Sequence, residues 1–166
     1  MSLPRFVVDA ALVRGDSDRL DAETVRHVRA LRLRPGDRMV VTDGNGRQRG
    51  AELAALTAGD ARIVLTAEAL PETESRLELT LCVALLKRDK LEWVVEKGTE
   101  LGVTRFVLVD STRSLADARR VRVDRLERVA RAAVEQAQRC RVPALVGPLA
   151  FDAALAAAAD SATRLF

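Results

Sequence analysis

The sequence has few of the side chains that build metal sites and nucleophile pairs. Among its 166 residues there is one histidine, His27, and there are two cysteines, Cys82 and Cys140, far apart in the chain. No zinc ligand set arises from that spacing, and a Ser-His or Cys-His pair needs a base within hydrogen-bond reach. We therefore predict that His27 is an ordinary helix residue and that both cysteines are small buried apolar side chains.

Long apolar runs and aromatic side chains are also scarce. The chain contains no stretch of about 18 or more uncharged apolar residues, the length that a membrane-spanning helix needs, and aromatics make up only 3% of it. The N-terminal residues 1–5 lack the apolar segment of a secretion signal. Because 48% of the residues are nevertheless apolar, a core can form without disulfides or metals. These features predict a soluble protein of the cytoplasm.

Lysine is rare, and the positive charge is carried by arginine. The formal net charge is +3, but residues 113–141 hold nine arginines against four acidic residues, so the remainder of the chain is slightly acidic. Guanidinium groups suit phosphate oxygens and base edges, and a local concentration of arginine is the usual electrostatic footprint of a nucleic-acid binder. The alternative is a solvated helix face with internal ion pairs.

The first seventy residues have the pattern of a small β-rich domain. Short apolar strands separated by turns are predicted at 6–8, 38–42, 48–56 and 61–66. Asp43-Gly-Asn-Gly46 is a strong hairpin signal, and a short helix is predicted over 21–31. The acidic, turn-prone segment 67–76 marks a domain boundary. We expect a small barrel or curled sheet over 1–70 and a second domain over 71–166.

After the boundary the pattern changes to buried strands alternating with helices. The apolar run 77–86 predicts a strand buried on both faces of a parallel sheet, and 104–109 predicts a second one. Between them, Asp89 is expected to cap a helix, with Glu92 completing the cap. Strand, helix and strand in this order make a parallel crossover, so residues 71–166 are predicted to form an open α/β domain.

The last third predicts an amphipathic helix followed by an unfinished sheet. The helix runs over 123–139 with an arginine-rich outer face, and Pro143 ends it. A short alanine-rich helix over 151–159 follows, and 162–166 is typical of the opening of another strand. An open sheet that stops at such a strand leaves unpaired backbone groups, so the chain is expected to be the front part of a longer protein.

Three separated motifs of the second domain resemble one known family. They are Lys87-Arg-Asp-Lys-Leu-Glu-Trp-Val-Val-Glu-Lys-Gly-Thr-Glu-Leu-Gly-Val-Thr104, Ser111-Thr-Arg-Ser114 and Glu135-Gln-Ala-Gln-Arg-Cys-Arg-Val-Pro143. In the first domain, Pro4-Arg-Phe6, the segment 27–37 and Asp43-Gly44 are similar to the opening of the same family. Over essentially its whole length, the sequence resembles the ribosomal RNA small subunit methyltransferase E family.

The resemblance implies a small PUA-like RNA-binding β-barrel over 1–70 and an incomplete SPOUT-type open α/β domain over 71–166. It implies S-adenosylmethionine-dependent methylation of N3 of a uridine in small-subunit (16S) ribosomal RNA, by a homodimer. The family's glycine-rich segment, which forms the trefoil knot and the cofactor pocket, is expected beyond residue 166. Gly147-Pro148 is no substitute, because no glycine pair follows it. The chain is therefore expected to be a truncated or partial form, inactive by itself, with no cofactor-binding residues and no metal.

The matched residues suggest roles in holding RNA and in catalysis. The RNA-binding candidates are Lys87, Arg113, Arg128, Arg131 and Arg139. Methylation of N3 needs loss of the imide proton, which either a carboxylate such as Glu135 or a nearby cation that stabilises the anion can assist. Glu135 as a base and Gln136 as a reader of the uracil edge are the catalytic candidates. N3 lies on the pairing edge, so the uridine has to be unpaired or flipped out. Alternatively, Glu135 and Arg139 form a simple i, i+4 ion pair and Lys87 is only solvated.

Two other functions fit the same residues. The chain is alternatively a non-catalytic RNA-binding module acting in ribosome assembly, which binds ribosomal RNA with the same steep salt dependence but transfers no methyl group. A small-molecule enzyme is also compatible with an open α/β sheet, although only the sheet pattern supports it. Methyl transfer, rather than RNA affinity, separates the first two hypotheses.

Overall fold

The chain divides into two units, each with its own sheet. The first unit consists of Met1–Glu74 together with Gln138–Arg141, and the second consists of Ser75–Ala137 and Val142–Phe166. The computed structural model describes residues 3–67, 70–71, 73–115, 117–159, 161–163 and 165. Helices and strands occur in both units, which confirms the predicted combination of a β-rich part and an α/β part.

The first unit is a four-stranded sheet with two short helices. In chain order its elements are β1 (Arg5–Val7), α1 (Ala10–Arg14), α2 (Ala22–Ala30), β2 (Arg38–Thr42), β3 (Gln48–Leu56) and β4 (Ala61–Leu65). The strand order is β1-β2-β3-β4, with β1 parallel to β2 and the other neighbours antiparallel. Within the described ranges no pairing between β4 and β1 closes this sheet.

The hairpin between β2 and β3 forms at the predicted residues. Asp43 Oδ1 accepts hydrogen bonds from the backbone N–H groups of Asn45 (2.8 Å) and Arg47 (3.1 Å). Gly44 and Gly46 take left-handed φ values of +72° and +104°, which glycine adopts without steric cost. Local turn chemistry thus sets the register of β2 against β3.

An apolar core forms between this sheet and its helices. Its fully buried side chains include Phe6 of β1, Val28 of α2 and Leu53 of β3. Asp21 caps α2 by accepting hydrogen bonds from two N–H groups of the first turn. The His27 ring packs edge-on against Phe6, with 5.2 Å between the ring centroids, so this histidine is a packing residue of α2, in agreement with the prediction.

The second unit is built on a three-stranded parallel sheet. Its elements are β5 (Leu79–Ala84), α3 (Arg88–Glu100), β6 (Val103–Asp110), a 3₁₀ turn (Ala118–Arg120), α4 (Val123–Gln136), β7 (Ala144–Ala150) and α5 (Phe151–Ala157). The strand order is β5-β6-β7, and both neighbours of β6 run parallel to it. The predicted parallel strand, helix and strand are therefore confirmed for β5, α3 and β6.

Helices cover both faces of the central strand β6. Phe106 packs with Leu91 of α3 and Leu126 of α4 in one apolar cluster, whereas the next residue, Val107, packs with Ala154 of α5 in another. Successive side chains of a strand point to opposite faces. The long helices α3 and α4 therefore lie on one side of the sheet and the short helix α5 lies on the other.

Strand β5 differs from its prediction. The sequence predicts a strand over 77–86 that is buried on both faces, but β5 covers only Leu79–Ala84 and none of its residues is fully buried. The reason is its place at the edge of the sheet, where β6 covers one side of it. Cys82 within β5 is exposed, so the prediction of a buried thiol is wrong there, whereas Cys140 is buried.

The start of α3 also differs from its prediction. Lys87 occupies the N-cap position and makes no side-chain capping bond, while Asp89 lies inside the first turn. The carboxylate of Glu92 does not complete a cap but accepts a hydrogen bond from Arg125 of α4, with Nη2 and Oε2 2.9 Å apart. A charge-assisted bond between two helices has replaced the local capping bond.

The chain beyond α4 departs most from the sequence pattern. α4 ends at Gln136 rather than at 139 because Gln138 takes a left-handed φ of +60°, a conformation that ends helices. The strand β7 was not predicted, because Gly147-Pro148 is typical of a break. In the structure Gly147, at φ +101°, lies where the pairing of β7 with β6 shifts register.

The C-terminal segment agrees with its prediction only in part. α5 confirms the helix predicted over 151–159. The strand predicted over 162–166 includes residues 164 and 166, which lie outside the described residues, and the other three form no strand.

In the described part of the chain no helix is both long and apolar enough to cross a membrane. Across the same residues, no three His, Cys, Asp or Glu side chains gather as a metal site requires.

Candidate functional site

The carboxyl ends of the three parallel strands meet at one edge of the second sheet, the edge at which open α/β sheets bind ligands. The segments that follow β5 and β6 are tied together there. Leu115 N donates a hydrogen bond to Leu85 O at 2.9 Å, and Leu85 N donates to Val109 O at 3.0 Å. Two of the candidate cations, Lys87 and Arg113, lie in these segments.

Arg113 is presented by a serine-stabilised turn. Ser111 N donates to Ser114 Oγ at 2.9 Å, Ser114 N donates to Ser111 O at 2.9 Å, and the Ser114 hydroxyl also reaches Val109 O at 3.4 Å. The turn is thereby fixed to the end of β6. Arg113 is exposed within it, so the turn places the backbone of this arginine at the sheet edge and leaves its side chain open to solvent.

Lys87 lies at the beginning of α3 on the same edge. Its side chain is exposed, and neither Lys87 nor Arg113 forms an ion pair within the described ranges. Two unpaired cations at the ligand edge of a sheet suit a polyanion such as a phosphate backbone.

The outer face of α4 carries Arg128 and Arg131, which are held differently. Arg128 Nη2 lies 3.2 Å from Asp124 Oδ2, and its Nε donates to Asp124 O. Arg122 donates two hydrogen bonds to the same carboxylate, and these bonds hold the pKa of Asp124 below its usual value. Arg131 is exposed and has no ion pair among the residues described. The alternative of internal ion pairs therefore describes Arg128 but not Arg131.

The two catalytic candidates lie in the last turn of α4. Glu135 is half-buried and Gln136, the final helical residue, is exposed. The structure places both residues at the end of α4, but Arg139 does not continue the helix with them. Arg139 therefore lies beyond the helical turn on which the sequence places it together with Glu135.

Arg139 belongs to the first unit and is buried. It is only 5% exposed, and its Nε and Nη2 donate to Glu74 Oε2 at 3.1 and 2.7 Å. The other oxygen of that carboxylate accepts hydrogen bonds from the backbone N–H groups of Cys140 (2.7 Å) and Arg141 (2.9 Å). We name this arrangement the Glu74 clasp. A guanidinium engaged in this way does not offer the exposed phosphate contact that the sequence predicts for Arg139.

The charge of Glu74 is maintained by its partners. Burial alone favours the neutral carboxyl group, but the hydrogen bonds from Arg139 and from the backbone of Cys140 and Arg141 outweigh it and lower the pKa of Glu74. Burial raises the pKa of the neighbouring Cys140 thiol. The clasp thus combines a persistent carboxylate with a neutral thiol in the interior of the first unit.

Sequence reasoning missed a second group of exposed arginines. On and after α2 the first unit exposes Arg26, Arg29, Arg32 and Arg34. Arg29 Nη1 donates to Ala58 O at 2.7 Å. The side chains of the other three arginines, on the same short stretch of sequence, are exposed to solvent. A count of charge in a short window would have found them, because four arginines and no acidic residue occur between positions 26 and 34.

Comparison with known families agrees with this arrangement. A family model described as an RNA methyltransferase domain matches residues 73–166, which is more than half of the chain. A second model, described as an RNA methyltransferase PUA domain, matches residues 20–66. The gap between the two matches, residues 67–72, falls within the turn-prone segment that precedes β5.

Curated relatives share sequence with most of the chain. The ribosomal RNA small subunit methyltransferase E of Synechocystis sp. is 34% identical over 123 residues, which cover 74% of this chain and 40% of that protein. The protein of the same name from Bacillus subtilis is 28% identical over 130 residues, covering 75% of this chain and 50% of that protein. The chain thus spans about half the length of the curated relatives that it matches.

A solved structure shares the fold. The ribosomal RNA small subunit methyltransferase E from Neisseria gonorrhoeae, solved bound to S-adenosyl methionine, superposes with a TM-score of 0.80 at 30% identity, covering 90% of this chain and 63% of that chain. With family models matching both parts of the sequence, and with relatives of one name in sequence and in structure, the chain belongs to the ribosomal RNA small subunit methyltransferase E family.

Proposed function

We propose that the chain is part of an S-adenosylmethionine-dependent enzyme that methylates N3 of a uridine in small-subunit (16S) ribosomal RNA. The observation that carries this proposal is the RNA methyltransferase match over residues 73–166, the same residues that place Lys87 and Arg113 at the carboxyl edge of a parallel sheet. The names of the curated relatives support ribosomal RNA as the substrate. The atom N3 follows from the family resemblance of the three motifs.

In this proposal the exposed cations of the second unit hold the RNA backbone. Lys87, Arg113 and Arg131 have no competing carboxylate in the described part of the chain, so their charge is available to phosphate oxygens. Arg128 contributes less because it shares Asp124 with a neighbouring arginine. Arg139 is left out of the RNA-binding surface, since its guanidinium is bonded to Glu74.

The exposed arginines on and after α2 give the first unit a place in the same function. Arg26, Arg32 and Arg34 lie close together in sequence and are all exposed. The match of residues 20–66 to an RNA methyltransferase PUA domain covers all three. We assign them to phosphate contacts that anchor the RNA without reading its sequence.

The catalytic step needs a group that removes the imide proton from N3. In the proposed mechanism the Glu135 carboxylate takes that proton, which leaves an electron pair on N3. S-adenosylmethionine would supply the methyl group, so that the new N–C bond would form as the methyl–sulfur bond breaks and its electron pair stays on the sulfur. The Gln136 amide, exposed at the end of α4, hydrogen-bonds the uracil edge and orients it. Because N3 lies on the pairing edge, the uridine enters unpaired or flipped out.

Gly147 does not offer an open cradle for S-adenosylmethionine. A Cβ on Gly147, the glycine of β7, would lie 2.7 Å from Leu108 O and 2.8 Å from Leu149 N. The space that a bare glycine would offer to a ligand is therefore filled by the backbone of the sheet itself. We assign no residue of this chain to the cofactor, and we propose that the 166-residue chain alone transfers no methyl group.

Two further properties belong to the proposal. The family resemblance supports a homodimer as the working form and the cytoplasm, where ribosomes are assembled, as its location. Sedimentation of the purified protein at several concentrations tests the first of these. A mass that stays at one protomer across the concentration series would contradict it.

The activity is tested by comparing two proteins. One is the 166-residue chain, and the other is the same chain followed by the part of the Bacillus subtilis relative that lies beyond the matched region. Each is incubated with unmodified small ribosomal subunits and labelled S-adenosylmethionine, and the digested RNA is analysed for N3-methyluridine by mass spectrometry. We expect the modified nucleoside with the extended protein only, and its loss in the Glu135→Gln variant of that protein.

The outcomes separate the hypotheses. If the extended protein is folded and binds the RNA but forms no methylated nucleoside, the chain is a non-catalytic RNA-binding module. If the methyl group appears on another atom, the assignment to N3 is wrong. Methyl transfer by the 166-residue chain alone would show that a cofactor pocket exists among its own residues.

A further inference from the structure

A cleft opens in the second unit beside the starts of α3 and α4. Its volume is about 240 Å³. It is lined by Leu86, Arg88, Leu91, Glu92, Leu115, Asp117, Arg120, Val121, Arg122, Arg125 and Leu126. None of these residues belongs to the RNA-binding or catalytic candidates considered above. The cleft therefore needs an explanation of its own.

The floor and the rim of the cleft differ in chemistry. Leucine and valine side chains form its apolar part, and Leu115, next to the serine turn, remains 68% exposed. Four arginines and two carboxylates form the charged part, which leaves an excess of positive charge. An inorganic anion needs no apolar floor, and an apolar ligand needs no guanidinium. The combination suits a ligand that has both an apolar face and an anionic group.

Two tight ion pairs hold the frame of the cleft. Arg125 donates two hydrogen bonds to Glu92 and so links α4 to α3, and these bonds lower the pKa of Glu92. Arg122 donates to Asp124 at 3.0 and 2.9 Å. The first pair joins α3 to α4, whereas the second lies within the beginning of α4, and both guanidinium groups are already bonded to a carboxylate.

The other two arginines are loosely held. Arg88 Nε lies 4.0 Å from Glu92 Oε1, and Arg120 Nε lies 3.9 Å from Asp117 Oδ2, both at the limit of an ion pair. Their side chains are 78% and 88% exposed. Exposed pairs of this kind contribute little stability, so either guanidinium can leave its carboxylate for a stronger anion at small cost.

We propose that the cleft binds one unpaired nucleotide of the RNA substrate, with the base against the apolar floor and a phosphate between Arg88 and Arg120. This inference rests on the proposed function, because it names a contact with the same RNA. The volume is below the range of pockets that enclose drug-sized ligands, which favours a single nucleotide over a larger molecule. Guanidinium groups also stack on bases and bind phosphate in two-pronged fashion, so the rim can contact both parts.

The test is a titration followed by NMR, with leucine methyl groups labelled in the 166-residue chain. Uridine monophosphate, uridine and inorganic phosphate are added separately. We expect the monophosphate to shift the methyl signals of Leu86, Leu91 and Leu115, and we expect each of the other two probes to bind more weakly. Methyl signals of the first unit, such as those of Leu53, should stay in place.

The variants locate the phosphate contact. The double change Arg88→Ala with Arg120→Ala should weaken the monophosphate at least about tenfold, since it removes two charge-assisted contacts. Arg119→Ala is the matched control, because Arg119 is exposed in the same 3₁₀ turn but does not line the cleft. It should leave the affinity within about twofold, as expected for a surface change away from the ligand. Unchanged spectra outside the cleft show that each variant is folded.

Three results would overturn the inference. They are leucine signals that do not move with the monophosphate, equal binding by the double variant and the parent, and inorganic phosphate binding as well as the nucleotide. A parallel measurement of affinity for a 16S ribosomal RNA fragment keeps the two proposals apart. If the fragment binds and the cleft stays silent, only this inference fails. If the cleft binds the monophosphate but the fragment does not bind, the cleft is a nucleotide site and the proposed function fails.

Discussion

The buried Arg139 of the first unit and the exposed arginines of the second unit have opposite surroundings. In the first unit Arg139 is buried and bonded to the Glu74 carboxylate, whereas in the second unit Arg113 and Arg131 are exposed and have no ion pair within the part that the structure describes. A buried charge must keep its partner, while an exposed guanidinium can exchange water for phosphate. The comparison teaches that a local excess of arginine predicts a binding surface only for those side chains that the fold leaves exposed.

The largest expected effect is the loss of the buried partner. Glu74→Ala removes the carboxylate that accepts two hydrogen bonds from the buried Arg139, so we expect the free energy of unfolding to fall by about 3–5 kcal/mol. Urea denaturation followed by circular dichroism measures it. The control is Asp16→Ala, which removes an exposed pair with Arg14 in the same unit and should cost less than about 1 kcal/mol. Similar losses in the two variants would mean that burial does not distinguish the pairs.

The same pair should give the first unit an acid sensitivity that the exposed cations lack. The pKa of Glu74 is lowered in the folded state, so its contribution is complete above the unfolded value of about 4.3 and is lost as the pH falls through the folded value. The difference in unfolding free energy between the parent and Glu74→Ala should therefore shrink on acidification below that value. A difference independent of pH would contradict an ionised Glu74.

A smaller effect is expected where the clasp touches the hairpin. A Cβ on Gly46 would lie 2.9 Å from Arg141 Nε, and this glycine has a φ of +104°. Gly36 has a φ of +94° with nothing within 4 Å, so Gly36→Ala reports backbone strain alone, about 1–2 kcal/mol. Gly46→Ala adds a contact with the Arg141 guanidinium, but this is the end of a flexible, exposed side chain that can move aside, so we expect a loss less than about 1 kcal/mol larger than that of Gly36→Ala. Thermal or chemical unfolding measures the free energy of unfolding of both variants, and a much larger loss for Gly46→Ala would show that Arg141 cannot move aside.

Substitution of the exposed arginines is expected to have the smallest effect on stability but a clear effect on the affinity for RNA. Arg131→Ala should change the unfolding free energy by no more than about 0.5 kcal/mol. It should reduce the slope of log affinity against log salt for a 16S ribosomal RNA fragment by about 1. Arg128→Ala, which removes an arginine already paired with Asp124, should change that slope less. Filter binding at several salt concentrations tests the order of the two variants.

The elements predicted well are those set by neighbouring residues. β2 (Arg38–Thr42) and β3 (Gln48–Leu56) begin and end at the predicted residues, because the Asp-Gly-Asn-Gly turn between them dictates its own geometry. The parallel crossover of β5, α3 and β6 was likewise predictable from two apolar runs and the helix between them. In these regions, tertiary contacts reinforce what the local pattern already favours.

The errors occur where distant residues decide. Arg139 was assigned to the end of α4, but its partner Glu74 is 65 positions away in sequence, and no periodicity reveals such a contact. β7 was missed because Gly147-Pro148 indicates a break in a strand. In a prediction from local sequence, this signal outweighs the apolar residues on either side of the pair. For the candidate site, the exposure of Arg113 follows from its place after β6, whereas the difference between Arg128 and Arg131 depends on side-chain geometry around Asp124.

The first unit is discontinuous, since it combines Met1–Glu74 with Gln138–Arg141. A ribosome making this chain releases the first 74 residues well before the four that complete the clasp. Until those four emerge, the Glu74 carboxylate has none of its four native hydrogen-bond donors. Closing a contact over that separation is slow compared with local folding. Maturation of the N-terminal module is therefore tied to translation of the segment that follows α4, and a nascent chain stalled within α4 would carry an unfinished module.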